Sequence, residues 1–235
     1  MSNLANGERV AIVIPAYNES ETIFAVVSSV SLYGMAIVIN DGSADDTAQL
    51  AKAAGAIVVD HVTNQGYDNA LVSGLSKAVA DSFDFVITVD GDGQHQPADI
   101  RLVLNELLNG ADVVVGIRDR VQRFSEALFS LLSKKLWGIS DPLCGVKGYR
   151  VSKLAGIDSL NSYPSIGTEL AIRALRSGWE IRQVPVITRE RRDQSRFGSG
   201  IYANWFVIKA MLMSVFKARA YTSKQIVVTD TRCFT

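Results

Sequence analysis

Phe85-Val-Ile-Thr-Val-Asp-Gly-Asp-Gly-Gln-His95 is an apolar run that ends in two carboxylates, Asp90 and Asp92, one residue apart. A short unbroken apolar run reads as a buried strand, and its polar end marks where the chain leaves the core. The pattern recurs. Val10-Ala-Ile-Val-Ile-Pro15 runs into Ala-Tyr-Asn-Glu19, Ala36-Ile-Val-Ile-Asn40 into Asp41-Gly-Ser43, and Asp112-Val-Val-Val-Gly116 into Ile-Arg118, with Ala56-Ile-Val-Val-Asp60 as a further apolar run. Between these runs, Ser20 to Val30, Asp45 to Ala54, Tyr67 to Ala80 and Pro97 to Leu108 have helical length, with Ser20 and Asp45 as candidate caps. Strands alternating with helices predict an α/β fold, a doubly wound and mostly parallel sheet with helices on both faces. Ligands of such sheets bind beyond the carboxyl ends of the strands, which is where the small and polar residues collect here.

The Asp-Gly-Asp end carries the chemistry. Period-two geometry would put Asp90, Asp92 and Gln94 on one side of an extended chain, and hard oxygen ligands suit Mg²⁺ or Mn²⁺. Gly91 and Gly93 let a ligand approach the backbone. The segment therefore reads as a site for a metal-bound diphosphate, and it also reads as a plain polar strand end. An EF-hand loop beginning at Asp90 is excluded, because its sixth and twelfth positions are His95 and Arg101 rather than Gly and Glu. A phosphatase with an Asp nucleophile would want a second acidic pair downstream, whereas Asp45-Asp46 lies upstream. Neither a P-loop nor a dinucleotide fingerprint occurs.

The 235 residues are 48% hydrophobic, enough for a sizeable core, and 24 Lys plus Arg balance 24 Asp plus Glu. No overall field draws the chain to nucleic acid. Cys144 and Cys233 stand far apart with only His61 and His95 as companions, which argues against a zinc site or a disulfide framework. The first nine residues lack the basic start and apolar run of a signal peptide, so a cytoplasmic location is expected. Ile201 to Phe216 is largely apolar but shorter than the roughly 20 residues that span a bilayer, and it carries Asn204 and Lys209. It reads as a buried helix; an in-plane membrane anchor or a helix pairing with a separate membrane subunit are the other readings.

Val121 to Trp137 puts Phe124, Leu128, Leu131 and Leu132 at helical spacing, with Lys134 and Lys135 near its end. A core-facing helix is expected, and the alternative is a helix lying on a membrane with its lysines toward lipid phosphates. Glu180-Ile-Arg-Gln-Val-Pro-Val186 reads as a strand that Pro185 consigns to an edge or a strand end.

Taken in order, the motifs resemble family 2 glycosyltransferases, most nearly the dolichyl or polyprenyl phosphate sugar synthases. The likeness runs roughly from Val10 to Gly200. It is carried by Val13-Ile-Pro-Ala-Tyr-Asn-Glu19, Asn40-Asp-Gly-Ser-Ala-Asp-Asp-Thr47, Asn64-Gln-Gly66, Asp90-Gly-Asp-Gly-Gln-His95, Gly116-Ile-Arg118, Asp141-Pro-Leu-Cys-Gly145, and Val184-Pro-Val186 followed by Arg192-Asp-Gln-Ser-Arg196. Asn40 departs from the acidic residue common at its position.

The resemblance implies a GT-A, Rossmann-like fold, a GDP- or UDP-sugar donor, a divalent metal (Mg²⁺ or Mn²⁺), inversion at the anomeric carbon and a polyprenyl or dolichyl phosphate acceptor. It implies one domain over residues 1–220, with a nucleotide-sugar half at 10–118, an acceptor half at 119–220 and a tail at 221–235. Pro15, Tyr17, Glu19 and Asp41 would surround base and ribose, and Gly66, Gly91, Arg123 and Arg196 would complete the donor contacts. Asp90, Asp92 and Gln94 would engage metal and diphosphate. Arg118 and Arg192 would meet the phosphates, because guanidinium groups bind them bidentately. Asp141 is the candidate base if the acceptor is a hydroxyl, since an ionised phosphate needs none. A peripheral position on the cytoplasmic face of a membrane follows from a lipid acceptor. A hydroxyl-acceptor enzyme and a non-catalytic nucleotide-sugar binder are the alternatives.

Overall fold

The computed structural model describes residues 7–120, 124–157 and 165–188. In chain order these form β1 (Val10–Ala16), α1 (Ile23–Val30), β2 (Met35–Asn40), α2 (Thr47–Ala53), β3 (Ile57–Asp60), α3 (Tyr67–Ala80), β4 (Phe85–Thr88), α4 (Pro97–Leu108), β5 (Val113–Arg118), α5 (Phe124–Trp137), β6 (Lys147–Arg150), α6 (Val151–Leu154), α7 (Ile166–Arg176) and β7 (Ile181–Val186). The sheet order is β3-β2-β1-β4-β6-β5-β7. All neighbours pair in parallel except β6, which runs antiparallel between β4 and β5.

The alternation of the strands divides the core in two. Val10, Ile12, Ile14 and Ala16 pack on one face with Ile23, Val27, Ile100 and Leu107 of α1 and α4. Ala11 and Val13 pack on the other with Leu71 and Leu75 of α3 and Leu170 and Leu175 of α7. A parallel sheet needs both faces covered, and its strands are accordingly apolar at every position rather than at alternate ones. Pro15 fits inside central β1 because β4 pairing stops at Val13–Thr88, below it. Pro185 sits in edge strand β7, as expected of it.

Helices α3 and α4 begin and end where the sequence pattern puts them. Pro97 opens α4, where its missing N–H costs nothing, and Gln96 and Asp99 form a capping box. The first helix starts later than expected, at Ile23, and Ser20 does not cap it: its N–H donates to Asp45 Oδ2 at 3.1 Å. Asp45 does hold the start of α2, accepting the Thr47 N–H at 3.1 Å and bonding the Thr47 hydroxyl.

The core-facing expectation for the fifth helix is wrong in its residues. Phe124 is 84% and Leu131 68% exposed, and Leu128 is exposed as well, whereas Ser125, Glu126, Phe129, Ser133 and Trp137 are buried. The inward face carries Phe129 and Trp137, which join the core, and Glu126, whose Oε2 lies 3.2 Å from Arg118 Nη2 at the end of β5. The expected helix at Ile201–Phe216 lies outside the described residues.

Gly74 of α3 lies so close to the sheet that a Cβ there would overlap Val13 Cγ1. Gly74→Ala is expected to lower stability by about 1–3 kcal/mol through overpacking, despite Ala's better helix propensity; a denaturant midpoint at or above wild type would refute that account.

Candidate active site

The strand order reverses direction between β1 and β4, and the loops leaving β1, β2 and β4 meet there. That crevice is the expected ligand position in a doubly wound sheet. Because β6 is antiparallel, the Asp141–Gly145 loop that feeds it arrives at the same edge.

Loops from β1 and β4 lock together first. A Cβ on Gly91 would stand 3.1 Å from the Pro15 carbonyl and 3.6 Å from Glu19 Cγ, so a side chain there would press the two turns apart by a few tenths of an ångström. The Thr22 hydroxyl donates to the Gly91 carbonyl at 2.8 Å and lies 3.1 Å from Glu19 Oε2. Glu19 is buried, and its N–H donates to Thr47 Oγ1 at 2.8 Å. Tyr17 is half-buried beside them.

The Asp41 carboxylate, after β2, is buried and accepts from three groups of the segment leading to α3. Oδ1 takes the Gln65 N–H at 2.9 Å and His61 Nδ1 at 2.7 Å, and Oδ2 takes the Gly66 N–H at 2.8 Å. Gly66 has φ +90° and ψ 159°, a conformation that L side chains rarely adopt. The neighbouring Asn40 amide donates to Asp60 Oδ1 at 2.8 Å. An aspartate at position 40 would face Asp60 with a like charge, which explains the departure from the acidic residue.

Strand β4 ends at Thr88, so Asp90, Asp92 and Gln94 lie in a turn and the period-two argument for their common side does not apply. Gly93 has φ +73°, and the Gln94 N–H donates to Asp92 Oδ1 at 3.1 Å. Asp90 is held at both oxygens, by the Tyr67 hydroxyl on Oδ1 at 2.8 Å and by His95 Nε2 on Oδ2 at 3.3 Å. Burial pushes its pKa up, but the hydrogen bond and charge of His95, with Tyr67, outweigh this and bring it down to about 2. His95 is driven up in turn, its desolvation outweighed by Asp90, Asp92 and Asp99. Gly145 completes the enclosure, since a Cβ there would collide with the Asp90 carboxylate.

At the end of β5, Arg118 Nε and Nη2 grip Asp141 Oδ2 and Oδ1 at 2.7 and 3.0 Å, and the Arg118 N–H adds a third bond at 3.1 Å. Burial would raise the Asp141 pKa, and Arg118 more than reverses it. A carboxylate so held is a weak base, because taking a proton means surrendering a charge-assisted bond. Lys147, buried beneath the loop, donates to the Cys144 carbonyl, and desolvation lowers its pKa. The Cys144 thiol is pushed up to about 12 by burial and is inert.

Among the described residues no group of three or more His, Cys, Asp or Glu is placed to hold a metal alone. The hard oxygens of Asp90 and Asp92 still fit Mg²⁺ or Mn²⁺, which commonly take one or two carboxylates and complete their shells with substrate phosphates and water. Thus Pro15 at the end of β1 and Tyr17, Glu19, Asp41, Gly66, Asp90, Gly91, Asp92 and Gln94 from the loops come together on one edge, and Arg118 and Asp141 sit as a pair on that edge. Arg123, Arg192 and Arg196 lie outside the described residues. His61, Tyr67, Glu126 and Lys147 escaped the sequence reading, because each acts through a partner distant in sequence.

Comparison with known proteins gives the class. The family model described as glycosyl transferase family 2 matches residues 11–137, and the chain belongs to this family of glycosyltransferases. It is 33% identical to the UDP-N-acetylglucosamine–dolichyl-phosphate N-acetylglucosaminyltransferase of Methanococcus voltae, over 86% of this chain and 94% of that one. It is 28% identical to a dolichyl-phosphate hexose transferase of Haloferax volcanii, over 86% and 93%. Among solved structures, glucosyl-3-phosphoglycerate synthase of Mycobacterium tuberculosis, crystallised with Mn²⁺, uridine diphosphate and glucosyl-3-phosphoglycerate, superposes with a TM-score of 0.74 at 24% identity, covering 92% of this chain and 82% of that one. The shared architecture is the expected GT-A fold.

The lowered pKa of Asp141 sets an acid limb. Its contribution is present above the unfolded value of about 3.9 and fades as pH falls through the lower folded value. Asp141→Asn is expected to cost about 1–3 kcal/mol at pH 7, with the gap to wild type narrowing below about pH 4. Urea unfolding from pH 2 to 7 checks this, and a pH-independent gap would contradict it.

Proposed function

We propose that this glycosyltransferase moves a hexose, with inversion, from a GDP- or UDP-sugar to a polyprenyl or dolichyl phosphate. Residues 10–118 supply the donor half and 119–220 the acceptor half. The lipid acceptor is supported by the two relatives named for dolichyl phosphate, each matched nearly end to end. The single structural observation in its favour is α5. That helix sets Glu126 against Arg118 at the site and turns Phe124, Leu128 and Leu131 outward, with Lys134 and Lys135 exposed near its end. Apolar side chains flanked by lysines suit contact with an anionic membrane surface. Among the described residues no helix is long and apolar enough to cross a membrane.

In this reading Asp41, Pro15, Tyr17, Glu19 and Gly66 receive the nucleoside, with Gly91 packing the turn that carries Asp90 and Asp92 against Pro15 and Glu19 on the donor side. Asp90 and Asp92 would hold Mg²⁺ or Mn²⁺ for the donor diphosphate, with Gln94 offering a neutral oxygen. When bound, the metal neutralises the departing nucleoside diphosphate. The chain's own residues do the rest. Asp41 orients the base, and the Gly145 loop keeps the Asp90 carboxylate in place. Arg118, whose Nη1 group has no partner among the described residues, joins Arg123, Arg192 and Arg196 in receiving phosphate oxygens. The acceptor phosphate is already anionic and attacks the anomeric carbon in line as the bond to the diphosphate breaks. Asp141 then serves as the anchor of Arg118 rather than as a base.

The test is mass detection of a sugar–lipid product after incubation with Mg²⁺ or Mn²⁺, a polyprenyl phosphate and a panel of GDP- and UDP-sugars. Product that disappears with chelator is expected, and Asp92→Asn should lower turnover roughly a hundredfold or more. Asp141→Asn should retain most activity. A loss beyond about a hundredfold in its chemical step, with folding intact, or nucleotide release without lipid product, would move the assignment to a hydroxyl acceptor.

A further inference from the structure

Behind Asp41 lies a row of three polar side chains. Ser73 Oγ is 2.9 Å from His61 Nε2, and His61 Nδ1 is 2.7 Å from Asp41 Oδ1, with the His61 and Asp41 side chains only 9% and 5% exposed. Hydroxyl, imidazole and carboxylate in this order are the parts of a nucleophilic triad, but the setting excludes that role. Ser73 lies in the middle of α3, where the surrounding N–H groups are spent on the helix ladder and none is left to form an oxyanion hole. The row instead points at Asp41.

The bonding of Asp41 decides what the row does. Its Oδ1 is occupied by both His61 and the Gln65 N–H, whereas Oδ2 accepts a single hydrogen bond among the described residues, from the Gly66 N–H. Because a carboxylate only accepts, Nδ1–H donates to Asp41, and the Ser73 hydroxyl, bonded to Nε2 on the far side of the ring, holds the imidazole in that orientation. The segment is held close as well. A Cβ on Gly42 would stand 2.6 Å from the Asn64 N and 2.7 Å from the Thr63 carbonyl carbon. Asp41 therefore cannot rotate without breaking contacts on two sides.

We propose that His61, oriented by Ser73, is a positioning residue for nucleobase recognition: it fixes the Asp41 carboxylate so that Oδ2 presents its remaining lone pair to a ring N–H of the donor's base. This rests on the nucleotide-sugar reading above. It assigns His61 no contact with the reacting atoms, and it favours bases that carry an N–H flanked by carbonyl or amino groups, as in uracil and guanine.

The experiment measures competitive inhibition and calorimetric binding of UDP, GDP and inorganic pyrophosphate, each with Mn²⁺, for wild type, His61→Ala, His61→Asn and Ser73→Ala. A lost hydrogen bond to a charged group should weaken the preferred nucleoside diphosphate about tenfold or more in His61→Ala, raising donor KM with little change in kcat. Pyrophosphate, which has no base, should bind as in wild type. His61→Asn, whose amide can donate from the Nδ1 position, should recover most of the loss, and Ser73→Ala should show a smaller loss of the same kind. Equal weakening of pyrophosphate, or no recovery in a folded His61→Asn protein, would overturn the inference and leave His61 a structural residue. Wild type that binds pyrophosphate but neither nucleotide would overturn the nucleotide-sugar reading itself, and this inference with it.

Discussion

A sheet of parallel strands with helices on both faces leaves only its ends open to water, and the chemistry of this molecule follows from that constraint. The apolar strands cannot accept polar side chains along their length without cost. Carboxylates, amides and guanidinium groups are therefore confined to the turns at the carboxyl ends. There the reversal of strand order between β1 and β4 splays the loops apart and makes the crevice. Strand β6, which among the described residues alone runs the other way, brings the Asp141–Gly145 loop to the same edge and closes one side of it.

Within the crevice, each acidic group is held by donors from a different part of the chain. Asp41 is bound by the segment entering α3, Asp90 by Tyr67 and His95, and Asp141 by Arg118. The segment from His61 to Tyr67 touches two of these carboxylates and so ties the donor-base side to the diphosphate side. A site built this way keeps its carboxylates oriented before any ligand arrives, which lowers the reorganisation needed on binding.

The legible part of the fold is the part with strong local periodicity. Tyr67–Ala80 and Pro97–Leu108 were readable residue for residue from their helical length between apolar runs, and the structure adds a glycine before the first and a capping box at the second. Strand β6 was not, since Lys147-Gly-Tyr-Arg150 has neither an apolar run nor a turn signature. Gly148 is there because α4 presses on it: a Cβ would meet Val103 Cγ1 at 2.5 Å. Helix α7 was also missed, although Ile166, Leu170, Ala171, Ala174 and Leu175 mark a buried stripe. The rotation of α5 was misread because hydrophobic spacing alone favours Phe124 and Leu131 for the core. The face that is buried instead carries Phe129 and Trp137, which join the core, and Glu126, which lies beside Arg118.

The order of apolar runs and polar ends along the chain was by itself enough to determine a doubly wound sheet, the edge that carries the site, the Asp90-Gly-Asp92 motif and the family likeness. Those features are encoded locally, in periods of two and 3.6 residues and in motifs a few residues long. Only the tertiary structure decided which groups hold which. It paired Asp141 with Arg118 across 23 residues, Asp90 with Tyr67 across 23 and Asp41 with Gly66 across 25. The physical reason is that a carboxylate's behaviour depends on the donors and charges within a few ångströms of it, and chain crossovers rather than sequence neighbours supply most of those.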